Sequence, residues 1–320
     1  MKRFNCLFVV LGISISCCFS CKKEADDVTK TDSDSGYAEA DYKPGAVLSG
    51  YKNYTKIYVG DLNCPIILSS PHDGTVAPAN IPDRQDGVVV RDIYATDLTL
   101  RMADSIKALT GLRPHVVINE LSRKKLDPNR SLAEAYLTHE DAKTAWNDYH
   151  NFIIMARTLV TKHVGKGLYL DMHGHGHDIA RIEVGYLLTS AELNSTDTQI
   201  NQLANKSSIY SISKESAYSF SQLINGDNSF GALLQNRGLR AIPSNRAGDR
   251  SPNSDPYFNG GYCTSAYGSS KLGGPVSAIQ LETPGPNVRN TATLRQSSGG
   301  KIARAILEYM KLHYAMDLAK

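Results

Sequence analysis

Short apolar runs alternate along this chain with longer stretches in which apolar residues recur every three or four positions. The runs at 65–70, 115–119 and 167–171 are largely apolar, as is typical of strands buried on both faces of a sheet. Runs at 182–189 and 277–282 have the same character. Together they predict the strands of one buried sheet.

The periodic stretches predict helices over 93–109, 141–163 and 298–313. In the first of them Leu98 and its neighbours at helical spacing form one apolar face, and Gly111 follows the end. Because strands alternate with helices, the sequence predicts an α/β fold. We expect a mainly parallel mixed sheet with helices on both faces.

The first residues form a segment of another kind. A basic start precedes an apolar run from 7 to about 15, which is too short to span a bilayer but fits the core of a signal peptide. Small residues and a cysteine follow, as at bacterial lipoprotein cleavage sites. Cys21 is the predicted lipidated residue because a polar stretch begins directly after it, and Cys17 and Cys18 are alternatives. An ordinary secretory signal would equally export the protein.

Three parts follow from this reading. They are a lipoprotein-type signal peptide at 1–21, a disordered tether at 22–44, which lacks large apolar residues, and one folded domain at 45–320.

Lys and Arg number 35 against 32 Asp and Glu, which gives no electrostatic case for nucleic acid. We expect membrane attachment through the lipid anchor only. Cys64 and Cys263 fit either a disulfide or two buried thiols.

Polar side chains stand at or just beyond the ends of the predicted strands: His72, His173 and Glu282 each follow or end one. Because the carboxyl ends of parallel strands share one edge of a sheet, these three should converge. Around His173 the chain alternates His and Gly, and glycine lets backbone approach an ion closely, so we expect a metal here. The simpler interpretation is a flexible His-containing turn that binds metal only adventitiously, and His175 and His177 either assist or only decorate the loop.

Catalytic zinc takes three ligands from His, Asp and Glu and leaves one position for water. The two histidines supply two ligands, and we favour Asp92, just before a predicted helix, as the third; Asp73 and Asp97 are alternatives. An Asp in that place could instead cap the helix. One zinc per chain would lower the pKa of its water to about 7 and polarise a carbonyl. Glu282 would accept the water's proton and pass it to the leaving nitrogen.

A basic loop lies next to these residues in the predicted fold. Arg123 and Arg130 could pair with a substrate carboxylate, with the amide of Asn129 beside them. The alternative is a solvated loop of charges. We also expect a substrate contact from Tyr262 or Tyr267, although a tyrosine beside glycines equally often closes a loop by packing.

Several short motifs follow one another in a fixed order between about residues 65 and 285. They are Ser70-Pro71-His72-Asp73-Gly74, Ser122-Arg123 followed by Asp127-Pro128-Asn129-Arg130, Tyr149-His150, Asp171-Met172-His173, Gly260-Gly261-Tyr262 and Gln280-Leu281-Glu282. As an ordered set they resemble the N-formylglutamate amidohydrolase family, a branch of the zinc-carboxypeptidase-like hydrolases.

The resemblance implies a zinc-carboxypeptidase-like α/β sandwich and a metal-dependent amidohydrolase. It implies these roles: zinc on His72, His173 and an acidic residue, Glu282 as general base, and Arg123, Asn129 and Arg130 at the substrate carboxylate. N-formylglutamate belongs to cytoplasmic histidine breakdown, so an exported enzyme should act on another N-acyl amino acid or on a peptide with a free carboxylate, at the bacterial envelope. An inactive surface protein that binds an acidic ligand, and a metal-dependent esterase or deacetylase, are the alternatives.

Overall fold

One eight-stranded mixed sheet forms the centre of the structure. The computed structural model describes residues 36–136, 138–270 and 273–320. The strands are β1 Val47–Ser49, β2 Thr55–Tyr58, β3 Ile66–Ser70, β4 His115–Asn119, β5 Gly167–His175, β6 Ile182–Gly185, β7 Ala241–Ile242 and β8 Val276–Pro284. They lie in the order β1-β2-β4-β3-β5-β8-β6-β7.

The middle of this sheet is parallel and its flanks are antiparallel. Strands β4, β3, β5 and β8 run in one direction, whereas β2 pairs antiparallel with β4 and β6 pairs antiparallel with β8. The predicted class, α/β with a mainly parallel mixed sheet, is confirmed. Its consequence for function is that the carboxyl ends of β3, β5 and β8 open on one edge.

Helices cover both faces of the sheet. Those in the described residues are α1 Ala95–Thr110, α2 Leu132–Ala135, α3 Glu140–His163, α4 Ser190–Leu193, α5 Asp197–Asn201, α6 Tyr210–Glu215, α7 Phe220–Asn225, α8 Phe230–Gln235, α9 Tyr262–Tyr267 and α10 Ala292–Tyr314. Alternate strand residues face opposite sides, and Leu68, Leu170 and Ile279 share a core cluster with Leu98 of α1 and Ile302 of α10. The long helix α3 packs against β2 to β5.

The largest difference from the predicted elements is in β5. The sequence analysis ended this strand at Asp171 and expected a His/Gly loop, but the strand continues to His175. The reason is long-range pairing, because β5 and β8 stay in parallel register from Gly167 to His175. Met172, inside the supposed loop, is buried in the core. Strand β6 is shorter than predicted, because it ends at Gly185 and not at residue 189.

The folded part begins before Gly45, the boundary predicted from the sequence. Tyr42 is only 3% exposed, and the rings of Tyr37 and Tyr42 both pack against Phe152 of α3. The predicted tether is polar on average, but these two tyrosines give its last part enough apolar surface to pack on the domain. The predicted signal peptide, the lipidation site Cys21 and the predicted tether up to residue 35 lie outside the described residues.

Cys64 and Cys263 are both buried free thiols, which corresponds to the second of the two interpretations above. Across the described ranges, no helix is long and apolar enough to cross a membrane.

His115, at the start of β4, makes the fold sensitive to acid. Its Nδ1 accepts a hydrogen bond from the Gly60 amide at 3.1 Å, and burial lowers the pKa of the imidazole to about 4. The unfolded chain, with a pKa of about 6.5, binds a proton first as the pH falls, so the stabilising contribution is full above pH 6.5 and is lost towards pH 4.

We therefore expect wild type to lose about 2 kcal/mol more unfolding free energy between pH 7 and pH 5 than His115→Asn does. The asparagine oxygen can still accept from Gly60 but does not titrate. Urea unfolding at the two pH values measures the difference. The same pH dependence in both proteins would contradict the prediction.

Candidate metal centre

Three donor atoms meet just beyond the end of β3 and beside the last residues of β5. Nδ1 of His72 and Nδ1 of His173 are 3.1 Å apart, and each lies 3.4 Å from Oδ2 of Asp92. Ligands at zinc's usual bond lengths in tetrahedral geometry stand roughly 3.3 Å from one another. The three buried side chains thus have the spacing of ligands around one ion and form a candidate metal-binding cluster.

Local backbone contacts bring these donors together. His72 follows β3 by two residues, and its carbonyl accepts a hydrogen bond from the amide of Asp92 at 3.1 Å, so the loop before α1 folds back onto the strand end. Asp92 Oδ2 also accepts from the amide of Gly174 on β5 at 3.0 Å. Asp92 is therefore tied to His72 through its main-chain amide and to β5 through its carboxylate.

A carboxylate stands behind each histidine. Nε2 of His72 is 2.6 Å from Asp127 Oδ1, and Nε2 of His173 is 2.8 Å from Asp171 Oδ2. An ionised carboxylate only accepts hydrogen bonds, so each Nε2 carries a proton, and in the neutral imidazole this leaves the lone pair of Nδ1 directed inward. Metal-ligating histidines are oriented by carboxylates in the same way.

The cluster is arranged for a cation. Burial acts to lower the pKa of His173, but the charge and hydrogen bond of Asp171 and the hydrogen bond of Asp92 together raise it well above its usual value. Burial acts to raise the pKa of Asp92, but hydrogen bonds from His173 and His72 hold it far below the usual value. The site therefore favours a positive charge next to Asp92, and either a proton on His173 or a metal ion would provide it.

Glu282 lies next to the donor atoms without belonging to them. It is the partner of His173 in the register of β5 and β8, and its Oε1 is 4.0 Å from His173 Nδ1. Nε2 of Gln280 donates to the same oxygen at 3.0 Å. Burial raises the pKa of Glu282 to about 7. A carboxyl group with such a pKa can both take up and release a proton near neutral pH.

The two alternative ligands have other partners. Asp73 caps the start of α1, because its carboxylate accepts from the amides of Tyr94 at 3.1 Å and Thr96 at 2.9 Å. It therefore has the capping role that the sequence analysis considered for Asp92. Asp97, on α1, forms ion pairs with Arg101 and Arg295.

Arg123, which the sequence analysis placed at the substrate carboxylate, forms ion pairs at the metal cluster. Its Nε is 3.1 Å from Asp127 Oδ2 and its Nη1 is 3.4 Å from Asp92 Oδ1. The guanidinium thus holds one proposed ligand and the carboxylate behind another. Arg130 lines the cleft, as Arg123 does, but it forms no ion pair within the described part of the chain.

The other two predicted substrate contacts also have defined places. Asn129 lies beside the cluster, with Nδ2 3.3 Å from His173 Nε2 and Oδ1 accepting from the Cys263 amide at 2.8 Å. The ring of Tyr262 packs against Trp146 and His150. Tyr262 is not among the described residues that line the cleft, whereas the two glycines before it are.

His175, His177 and Glu183 form a second group of metal-ligand type, and the two histidines line the same cleft. Both ring nitrogens of His175 are already engaged by the main chain, since Nε2 is 2.8 Å from the Arg181 carbonyl and Nδ1 accepts from the His177 amide at 3.1 Å. Nδ1 of His177 lies 2.8 Å from Glu183 Oε1. The side chains of this group are therefore held by hydrogen bonds to one another and to the main chain.

The cleft has a volume of about 550 Å³ and is lined by the donor cluster, Glu282, Asn129, Arg130 and several apolar side chains. Sequence reasoning gave no role to Asp127, Glu183 or this apolar lining. The role of Asp171 as the carboxylate beside His173 did leave a signal in the sequence. Residues two apart on a strand point to the same face, and Asp171 and His173 are such a pair.

No family model and no curated protein matches the chain. It is similar to the crystal structure of N-formylglutamate amidohydrolase from Ralstonia eutropha, at 14% identity, with 79% of this chain and 95% of that chain covered and a TM-score of 0.45. It is also similar to a gene product of Agrobacterium tumefaciens, at 10% identity, with 86% and 98% covered and a TM-score of 0.37. The family that the motifs resemble thus recurs among the structural neighbours. Because both TM-scores are below 0.5, we argue function from the site residues alone.

Proposed function

We propose that this protein is a zinc-dependent hydrolase that cleaves the amide bond of an N-acyl amino acid, or of a peptide with a free carboxylate. The observation that supports this most directly is the set of inward-facing Nδ1 atoms of His72 and His173 with Asp92 Oδ2, beside the buried Glu282. A pure binding protein has no need of such a base next to three metal-type donors.

Each residue has a role in the proposed reaction. His72, Asp92 and His173 would hold the zinc ion, which when bound polarises a carbonyl and lowers the pKa of water. Glu282 takes a proton from the attacking water and delivers it to the leaving nitrogen, with Gln280 holding its carboxylate. Arg130, which has no ion-pair partner among the described residues, binds the substrate carboxylate.

The proposed place of action is the bacterial envelope, periplasmic or on the outer surface. It rests on the N-terminal segment, in which a basic start, an apolar run and Cys21 follow one another. The lipid would be the only membrane attachment, and small acylated amino acids or peptides would be the partners. Labelling cells with a fatty-acid analogue tests this, with Cys21→Ser as the variant expected to lose the label.

The function is tested by a substrate screen on the purified, zinc-loaded protein. We expect release of free amine from N-acyl amino acids, loss of turnover with a chelator, and recovery on adding Zn²⁺. Capping the substrate carboxylate as an amide should lower kcat/KM about tenfold or more, because the charge-assisted bond to Arg130 is lost. Bound metal without amide turnover on the panel would contradict the proposal, and turnover of matched esters alone would indicate an esterase.

A further inference from the structure

Exposed apolar side chains are concentrated at the candidate active-site cleft. Eight large hydrophobic side chains are exposed among the described residues, and five of them line this cleft. The five, which we call the apolar rim, are Val88, Val90, Ile93, Tyr94 and Phe258. Single exposed apolar residues are normal on a protein surface, but a contiguous set around a cleft marks a ligand-binding surface.

The apolar rim borders the proposed reaction centre. Val90 and Ile93 stand on either side of Asp92 in the chain, and Asp92 is one of the three donors. Val90 is 71% exposed, the largest exposed fraction in the rim. A substrate whose scissile bond lies at the donor cluster would therefore place its neighbouring group against these side chains.

Part of the rim is fixed before any ligand binds. The carboxylate of Glu183, which is 1% exposed, accepts from the Phe258 amide at 2.7 Å and lies 2.8 Å from His177 Nδ1. The His177 ring stacks on Phe258 with centroids 4.7 Å apart and planes 19° apart. The guanidinium of Arg295 lies 4.1 Å from the centre of the Tyr94 ring. A surface that is already ordered costs less entropy when it binds an apolar group.

We infer that the substrate carries a large apolar group next to the scissile amide, in addition to the carboxylate that Arg130 would bind. This inference rests on the proposed amide hydrolysis for the identity of the bond. A formyl or acetyl group would leave most of the apolar rim in water, whereas a medium-length acyl chain or an aromatic side chain would cover it. The cleft volume of about 550 Å³ is within the usual range for a ligand of that size.

Two pairs of substrates test the inference and identify which side of the amide carries the apolar group. N-octanoylalanine against N-acetylalanine varies the acyl side, and N-acetylphenylalanine against N-acetylalanine varies the amino-acid side. We expect kcat/KM to be about tenfold or more higher for the apolar member of at least one pair. Equal values within both pairs, on an enzyme that hydrolyses them, would overturn the inference and leave the proposed hydrolase function intact.

Variants of the rim give a second test. Phe258→Ala and Val90→Ser should each lower the preference within that pair by about threefold or more. Val47→Ser removes an exposed valine that does not line the cleft, and it should leave the preference unchanged. An unchanged preference in both rim variants would overturn the inference.

A binding measurement separates this inference from the proposed function. Titration calorimetry of zinc-loaded Glu282→Gln with N-octanoylalanine, N-acetylphenylalanine and N-acetylalanine should give a Kd about tenfold or more lower for an apolar ligand. If wild type hydrolyses nothing, the proposed function fails, and these three Kd values still decide whether the cleft selects an apolar group. Equal Kd values would overturn the inference.

Discussion

His72→Ala and His173→Ala are each expected to remove stoichiometric zinc from the purified protein. Either change deletes one of three donor atoms that lie 3.1–3.4 Å from one another. It also leaves Asp127 or Asp171 buried without its imidazole partner. Affinity should fall by more than the roughly 10–100-fold that follows loss of an outer-shell partner. Metal analysis by mass spectrometry after dialysis, with about one zinc per chain expected in wild type, measures the effect.

The matched control is His177→Ala, which removes a histidine from the same cleft but from the other candidate group. It should keep the zinc, because the His175–His177–Glu183 group is satisfied by its own hydrogen bonds. Zinc retained in both His72→Ala and His173→Ala, but lost in His177→Ala, would place the ion in that second group. No stoichiometric metal in wild type would favour the inactive binding protein.

Much of the central sheet could be predicted because its strands are short apolar runs. Strand β4 has the bounds that the sequence indicated, and β3 differs by one residue. The convergence of His72, His173 and Glu282 followed from topology alone, since parallel strands bring their carboxyl ends to one edge. The continuation of β5 could not be read locally, because glycine and histidine weaken the strand pattern and pairing with β8 determines the outcome.

The third metal-type donor could not be identified from the sequence alone, because its identity depends on the path of the backbone before α1. The sequence analysis considered Asp73 and Asp92 as ligands and only Asp92 as a helix cap. In the structure the loop turns so that Asp73 reaches the first helical amides and Asp92 faces the histidines. The ion pairs of Arg123 could not be predicted for a similar reason, because a sequence shows a charge but not which buried carboxylates lie beside it. The exposure of Val90 likewise depends on a loop conformation that no periodicity encodes.

Glu282→Gln is expected to lower kcat about 10²–10⁴-fold while zinc content stays at the wild-type level. The amide has nearly the shape of the carboxylate but cannot accept the proton of the attacking water. The side chain stands outside the donor cluster, with Oε1 4.0 Å from His173 Nδ1, so its replacement should not remove a ligand. Steady-state kinetics on the best substrate of the screen, together with metal analysis of the same sample, measures both effects.

The two readouts together distinguish a base from a ligand. If the variant loses zinc as well as turnover, Glu282 is a metal ligand and another group must take the proton. If it keeps full activity, the proposed mechanism is wrong, since no carboxylate would then be needed at this position. Glu192→Gln is the matched control, because Glu192 does not line the cleft and caps α4, a cap that glutamine can keep, so both zinc and kcat should equal wild type. Retained zinc with lost turnover, in Glu282→Gln alone, is the combination that only a proton-transferring role at the metal site predicts.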